Sequence, residues 1–147
     1  MARPRRRGQA QAGLSDLLVL DAEGVSKAAA NDPSVQAWLE RARELDADVI
    51  LSAVTLAEIV RGVARDAGIN RVVKATDIWT ADEPLARQAG RLLGNAGSDA
   101  TVDAFVAATA MAGRKRRGAT HCVVVTSDPH DLRVLLADEP DVRVVAV

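Results

Sequence analysis

The sequence predicts an α/β fold in which a parallel sheet is covered by helices on both faces. Three observations carry that prediction. Short apolar runs of strand length recur at Leu17–Leu20, Val49–Leu51, Cys122–Val125 and Val142–Val147. Segments with apolar residues at helical spacing separate them. The first three runs are continuously apolar rather than alternating, as strands buried on both faces are, and the fourth is interrupted only by Arg143. Strands that alternate with helices build parallel sheets with right-handed crossovers.

Residues 1–13 hold Arg, Pro, Gly, Gln and Ala without periodicity. They read as a flexible basic arm, with one domain over 14–147. Leu17-Leu18-Val19-Leu20 is a buried strand that runs straight into Asp21. Residues 23–31 are helix-like up to Asn31-Asp32-Pro33. In 34–46, Val35, Trp38, Leu39, Ala42 and Leu45 recur at helical spacing. Val49-Ile50-Leu51 forms the second strand. Residues 55–63 form a helix with Leu56, Ile59, Val60 and Val63 on one face. Between 68 and 83, Val72-Val73 is expected to open a short strand that ends near Ile78-Trp79. Pro84 suits the first turn of a helix. That helix continues through Leu85, Ala89, Leu92 and Leu93 and breaks at Asn95-Ala96-Gly97. Residues 99–112 are helical, with Val102, Phe105, Val106 and Thr109 inward. A strand at 122–125, a short helix at 131–137 and a last strand at 142–147 complete the order.

The chain has 147 residues, 48% of them hydrophobic and 27% charged, enough for one core without metal or disulfide staples. Aromatic content is 2%, confined to Phe105, Trp38 and Trp79. Recognition by stacking on splayed bases is thus nearly excluded, and nucleic-acid binding would rest on charge, backbone and metal. Cys122 is the only cysteine. It permits no intramolecular disulfide, fits a reducing cytoplasm and reads as a small buried side chain. No apolar stretch is long enough to span a membrane, and no apolar segment of signal type follows the basic start. Net charge is -1, yet Arg3, Arg5, Arg6 and Arg7 cluster at one end and Arg114, Lys115, Arg116 and Arg117 further on. Separate positive and negative surfaces follow.

Ligands of open parallel sheets bind outside the carboxyl ends of the strands, so acids there carry weight. Asp21 directly follows the first strand, and Asp128 follows Val123-Val124-Val125-Thr126-Ser127. Asp99 and Asp103 are four residues apart on one helix and share a face. Glu58 is expected in the first turn of its helix. Simpler roles are open to most of these. Thr55 and Glu58 have capping-box spacing, Asp128-Pro129 marks a turn, Asp99 suits an N-cap and Asp131 suits a helix dipole. Asp103 resists such a role: it sits between Val102 and Phe105-Val106, where an unpaired carboxylate is costly. Crowded acids repel unless a cation screens them, and oxygen donors suit Mg²⁺ or Mn²⁺. His121 and His130 are isolated and make no zinc cluster.

Four segments stand in the order and spacing of a PIN domain. They are Leu18-Val19-Leu20-Asp21-Ala22, Thr55-Leu56-Ala57-Glu58-Ile59, Val102-Asp103-Ala104-Phe105-Val106-Ala107-Ala108 and Thr126-Ser127-Asp128-Pro129-His130-Asp131-Leu132. Over roughly 17–147 the chain resembles the VapC-type toxins, the ribonuclease half of bacterial toxin–antitoxin pairs. The resemblance implies a three-layer α/β/α sandwich around a parallel sheet of about five strands. It implies that Asp21, Glu58, Asp103 and Asp128 are the catalytic, metal-binding acids, with Asp99 and Asp131 accessory. It further implies Mg²⁺ or Mn²⁺, RNA cleavage by a metal-activated water, a homodimer, and a small VapB-like antitoxin that occludes the acidic pocket and binds operator DNA.

The chain departs from that pattern in its Arg-rich arm and after Asp21, where Glu23-Gly24 replace the usual small polar residue. Ser26 would take that role, or Glu23 would add a charge. Arg114, Lys115, Arg116 and Arg117 would either draw RNA toward the acids or sit at a helix C-terminus, where cations are favoured. Two other readings remain open: a catalytically inactive PIN-like protein that binds RNA or a partner, and a receiver-like phosphoryl-transfer domain. The latter is poorly served by Lys74 and Lys115 and has no glycine-rich P-loop.

Overall fold

The computed structural model describes residues 16–147. Five strands form one sheet: β1 (Asp16–Leu20), β2 (Asp48–Ser52), β3 (Asp77–Trp79), β4 (His121–Thr126) and β5 (Val142–Ala146). Their order is β3-β2-β1-β4-β5, and every neighbouring pair is parallel. The arm expected over 1–13, with its boundary at 14, lies outside the described residues.

Helices α1 (Ala22–Ala29) and α2 (Pro33–Glu44) connect β1 to β2. Between β2 and β3 come α3 (Ala53–Ile59), a 3₁₀ turn at Ala64–Asp66 and α4 (Ala67–Lys74). Helices α5 (Glu83–Ala96) and α6 (Thr101–Arg117) carry the chain from β3 at one edge back to β4 beside β1, and α7 (His130–Leu135) leads to β5.

Alternate side chains of one strand face opposite ways, and β1 shows the consequence. Leu17 and Val19 join Ile50, Ala104, Ala107, Val124 and Leu132 in the core under α5, α6 and α7. Leu18 and Leu20 join Val25, Val35, Leu51 and Val125 under α1 and α2. Helices on both faces make the three-layer α/β/α sandwich.

The helix ends follow their local chemistry. Asp32 caps α2 through Ser34 N and Val35 N, with Pro33 in the first turn, and Asp82 caps α5 through Leu85 N. Gly97 and Gly118 end α5 and α6 in the left-handed region (φ 60° and 61°), where glycine bears no Cβ penalty.

Three expectations change. Val72 and Val73 lie in α4, not in a strand; with Ile69 they supply an i, i+3, i+4 apolar face packed toward the core, and the strand comes later, at Asp77–Trp79. The helix expected over 55–63 starts at Ala53, capped by Ser52 Oγ on Val54 N (3.2 Å), and stops at Ile59. Thr55 is therefore inside the helix and fully buried, and Glu58 sits in the last turn rather than the first. Helix α6 begins at Thr101 and runs on to Arg117.

Helix α6 crosses the sheet at close range through Gly113. A Cβ there would lie 2.7 Å from Ile50 Cδ1 and 3.1 Å from Leu17 Cδ2, both on buried side chains. Gly113→Val is expected to lower the unfolding free energy by about 3 kcal/mol through overpacking. Gly90→Val, in α5 where nothing lies within 4 Å of a Cβ, is expected to change it by less than about 1 kcal/mol. Urea denaturation of the two variants beside the parent checks the contrast.

Candidate active site

Because all five strands are parallel, their carboxyl ends share one edge, and the acids gather there. Asp21 follows β1 and caps α1, its Oδ1 accepting Gly24 N at 2.7 Å. The register sets Leu20 beside Val125, so Asp21 meets the end of β4. There the Thr126 hydroxyl hydrogen-bonds the Asp21 carboxylate, and its oxygen also accepts Asp128 N at 3.1 Å. One buried threonine thus links two of the expected acids. Burial pushes the Asp21 carboxyl above its ordinary range, opposed by the Thr126 and Gly24 hydrogen bonds. Gly24 is needed at close quarters: a Cβ would stand 3.1 Å from Val125 O and 3.3 Å from Asp21 Oδ1.

Asp103 arrives from the opposite face, in the first turn of α6. Its carboxyl is pushed up to about 6, first by burial and then by the charges of Asp131, Asp21, Glu58 and Asp128. Glu58, from the last turn of α3, is also raised, by burial and then by Asp21 and Glu23. Two sheet strands and three helices therefore bring Asp21, Glu58, Asp103, Asp128 and Asp131 into one electrostatic neighbourhood, with Glu23 beside it. None of these acids is ion-paired among the described residues. No group of three or more His, Cys, Asp or Glu among them is already arranged to hold a metal ion. Like charges without a counterion hold one another apart, and the donor set is wholly carboxylate. Such a set suits a hard divalent cation that would draw the groups together.

The remaining expected site residues lie elsewhere. Asp99 is exposed ahead of α6; its backbone oxygen accepts Thr101 N at 2.8 Å, and the helix has no side-chain cap. Arg114, Lys115, Arg116 and Arg117 form the last turn of α6, at the amino edge of the sheet. Fourteen positions separate Asp103 from Arg117, about 21 Å at the rise of an α-helix. Arg117 pairs with Asp48 and Asp77 and lies 5.8 Å from the Trp79 ring, while Arg114 pairs with Asp141 at 2.9 Å. Two of the four are thus neutralised by ion pairs, and the cluster lies at the edge opposite the acids. Lys115 and Arg116 are exposed, and Arg116 also stacks on Trp79 (5.5 Å). An apolar cleft lined by Leu18, Trp38, Ala42, Leu45 and Val123 also opens at that amino edge, away from the acids. His121 pairs with Asp16 there (3.3 Å). Burial pushes the Cys122 thiol up to about 12, so it is an inert core residue.

Thr126 carries a linking role that its place in the sequence does not announce; only the register of β1 on β4 reveals it.

The PIN domain model matches residues 18–134. The chain belongs to the PIN domain family. No curated protein matches the sequence. Among solved structures it is similar to VapBC2 from Rickettsia felis bound to a DNA fragment from their promoter, at 15% identity and a TM-score of 0.66 over 89% of this chain and 98% of that one. It is also similar to a toxin-antitoxin complex from Klebsiella pneumoniae, at 17% identity and a TM-score of 0.61 over 85% and 94%. At these identities the likeness is one of fold. Membership in the PIN family selects that reading over the receiver-like one.

The raised acids set a pH dependence with a definite sign. Between the ordinary value of 3.8 and about 6, folded Asp103 holds a proton that the unfolded chain has released. The ionised group therefore lowers the stability of the metal-free protein as pH rises through that window. Asp103→Asn is expected to raise the melting temperature of metal-free protein at pH 7.5 by about 2–4 °C, a figure discounted for solvent screening. The gain is expected to vanish near pH 4; thermal scans at both pH values in chelator check it.

Proposed function

We propose that this PIN protein is a divalent-metal-dependent endoribonuclease, the VapC-type toxin of a toxin–antitoxin pair. One observation carries the reading: Asp103 is forced up to about 6 by burial and by four other carboxylates, with no described cation to pair with any of them. Structural ion-pair networks also shift carboxyls, but they do so with cations present; an unpaired acidic cluster at the carboxyl edge of a parallel sheet marks a site.

Asp21, Glu58, Asp103 and Asp128 would hold Mg²⁺ or Mn²⁺, with Asp131 next to Asp103 and Asp99 outside the cluster. When bound, such an ion supplies an activated water and stabilises the charge that develops on a phosphodiester. The chain's own residues orient the donors. Thr126 fixes the Asp21 carboxylate while its oxygen holds the backbone of Asp128. Gly24 N fixes the other side of Asp21. The Asp103 carboxyl is ionised at neutral pH yet close enough to its transition that a cation must displace its proton in mildly acid solution. No side-chain nucleophile is required.

The similar solved structures are toxin–antitoxin assemblies. A VapB-like antitoxin, a homodimer and a cytoplasmic setting belong to the same proposal. No helix of the described residues is long and apolar enough to cross a membrane. The rival is a PIN-like binder of RNA or of a partner without cleavage.

Purified, antitoxin-free protein incubated with total cellular RNA separates the two. Discrete products with Mg²⁺ or Mn²⁺ are expected, abolished by EDTA and reduced at least about 100-fold by Asp103→Asn. Folded protein that binds the metal and cuts no RNA would instead establish the rival.

A further inference from the structure

We infer that Arg61 is a phosphate-binding residue on the rim of the acidic site, held in position by Asp66. The inference rests on the nuclease reading above and adds the group that receives the polyanionic strand. The acids repel RNA, and the Arg114–Arg117 cluster lies at the far edge of the sheet. A cation near the acids has to come from another element.

Helix α3 ends immediately after Glu58, and the chain turns through Arg61–Val63. Asp66 organises this turn. It is 4% exposed, and its Oδ2 accepts three consecutive backbone donors, Arg61 N (2.9 Å), Gly62 N (2.7 Å) and Val63 N (3.1 Å). Gly62 has φ +74°, a left-handed conformation that glycine adopts without strain, and nothing lies within 4 Å of a Cβ there. The turn is therefore set by one carboxylate and one backbone conformation, rather than by side-chain packing around Gly62.

The turn folds the Arg61 side chain back over the end of α3. Its Nη1 donates to Ala57 O (3.0 Å) and Val60 O (3.2 Å), and its Nη2 donates to Glu58 O (2.7 Å). The carbonyl end of a helix favours a cation, which accounts for this edge of the guanidinium. It does not account for the other edge. Nε–H takes no partner among the described residues, Nη2 has only one for its two hydrogens, and the side chain is exposed. That free fork matches two oxygens of one phosphate. Arg61 forms no ion pair among the described residues. It is hydrogen-bonded to the backbone of Glu58, whose carboxyl feels the charge of Asp21 and in turn raises Asp103. A strand with one phosphate on the acids would thus find a fixed arginine fork beside it.

The test measures binding of a short fluorescent single-stranded RNA with a cleavage-resistant backbone, in Mg²⁺ and with the acidic site intact, across a salt series. Arg61→Gln is expected to weaken binding alike for unrelated sequences and to reduce the slope of log Kd against log salt by about 0.7, one phosphate contact on a single strand. Arg61→Lys is expected to keep the slope and recover only part of the affinity, because the ammonium lacks the fork. In the otherwise unaltered enzyme, Asp66→Asn is expected to raise KM several-fold with kcat little changed. Should Asp66→Asn fail to fold, Arg61→Gln, on an exposed side chain, decides alone. Parent-like affinity and salt slope for Arg61→Gln, in a protein that does bind and cut RNA, overturn the inference and leave the nuclease reading standing. A parent protein that neither binds nor cuts RNA removes both.

Discussion

The pairing of β1 with β4 at the centre of the sheet is the constraint on which the site depends. It aligns Leu20 with Val125 and so delivers Asp21 to the end of β4, where Thr126 can join it to Asp128. These two strands are far apart in sequence. They become neighbours only because α5 and α6 carry the chain from β3 back across the sheet. The same crossing brings Asp103 over the strand ends, and Gly113 lets α6 lie close enough to the sheet to do so. Packing and chemistry therefore share one element: what buries Ile50 and Leu17 also buries part of Asp103.

Charge is sorted along the strand direction. At the amino edge, Arg114 and Arg117 are matched by Asp141, Asp48 and Asp77, and His121 by Asp16. At the carboxyl edge, burial and neighbouring carboxylates raise the proton affinity of Asp103 and Glu58, and burial raises that of Asp21, without a matching cation among the described residues. Exposed pairs of the first kind add little to stability. The unmatched set costs stability in the metal-free protein. A fold keeps such a cost where function needs it.

Much of this was legible in the sequence. Continuous apolar runs exposed β1, β2 and β4, since strands buried on both faces have no polar alternation to hide them, and β5 showed through its valines despite the exposed Arg143. Asp21 and Asp128 were legible because they abut those runs, and Asp103 because it interrupts an apolar helix. The stretch containing α4 was misread: two adjacent β-branched residues, Val72 and Val73, look like a strand until Ile69 is counted with them. Glu58 was placed at the wrong end of its helix, because Thr55 and Glu58 mimic a capping box while Ser52, the last residue of β2, makes the cap. Thr126, Asp66 and the direction of Arg61 depend on tertiary register and on backbone hydrogen bonds, which residue spacing does not encode. The basic run at 114–117 was visible as composition, but only the length of α6 shows which edge of the sheet it occupies.

Calorimetric titration of the purified protein with Mn²⁺ at pH 7.5 and at pH 5 tests most directly whether the acids at the carboxyl edge form a metal site. Saturable binding is expected at pH 7.5, weakened as pH falls below about 6 because protons compete for Asp103, and lost in both Asp103→Asn and Asp21→Asn. Binding that is absent from folded protein, or that survives both substitutions unchanged, would contradict it.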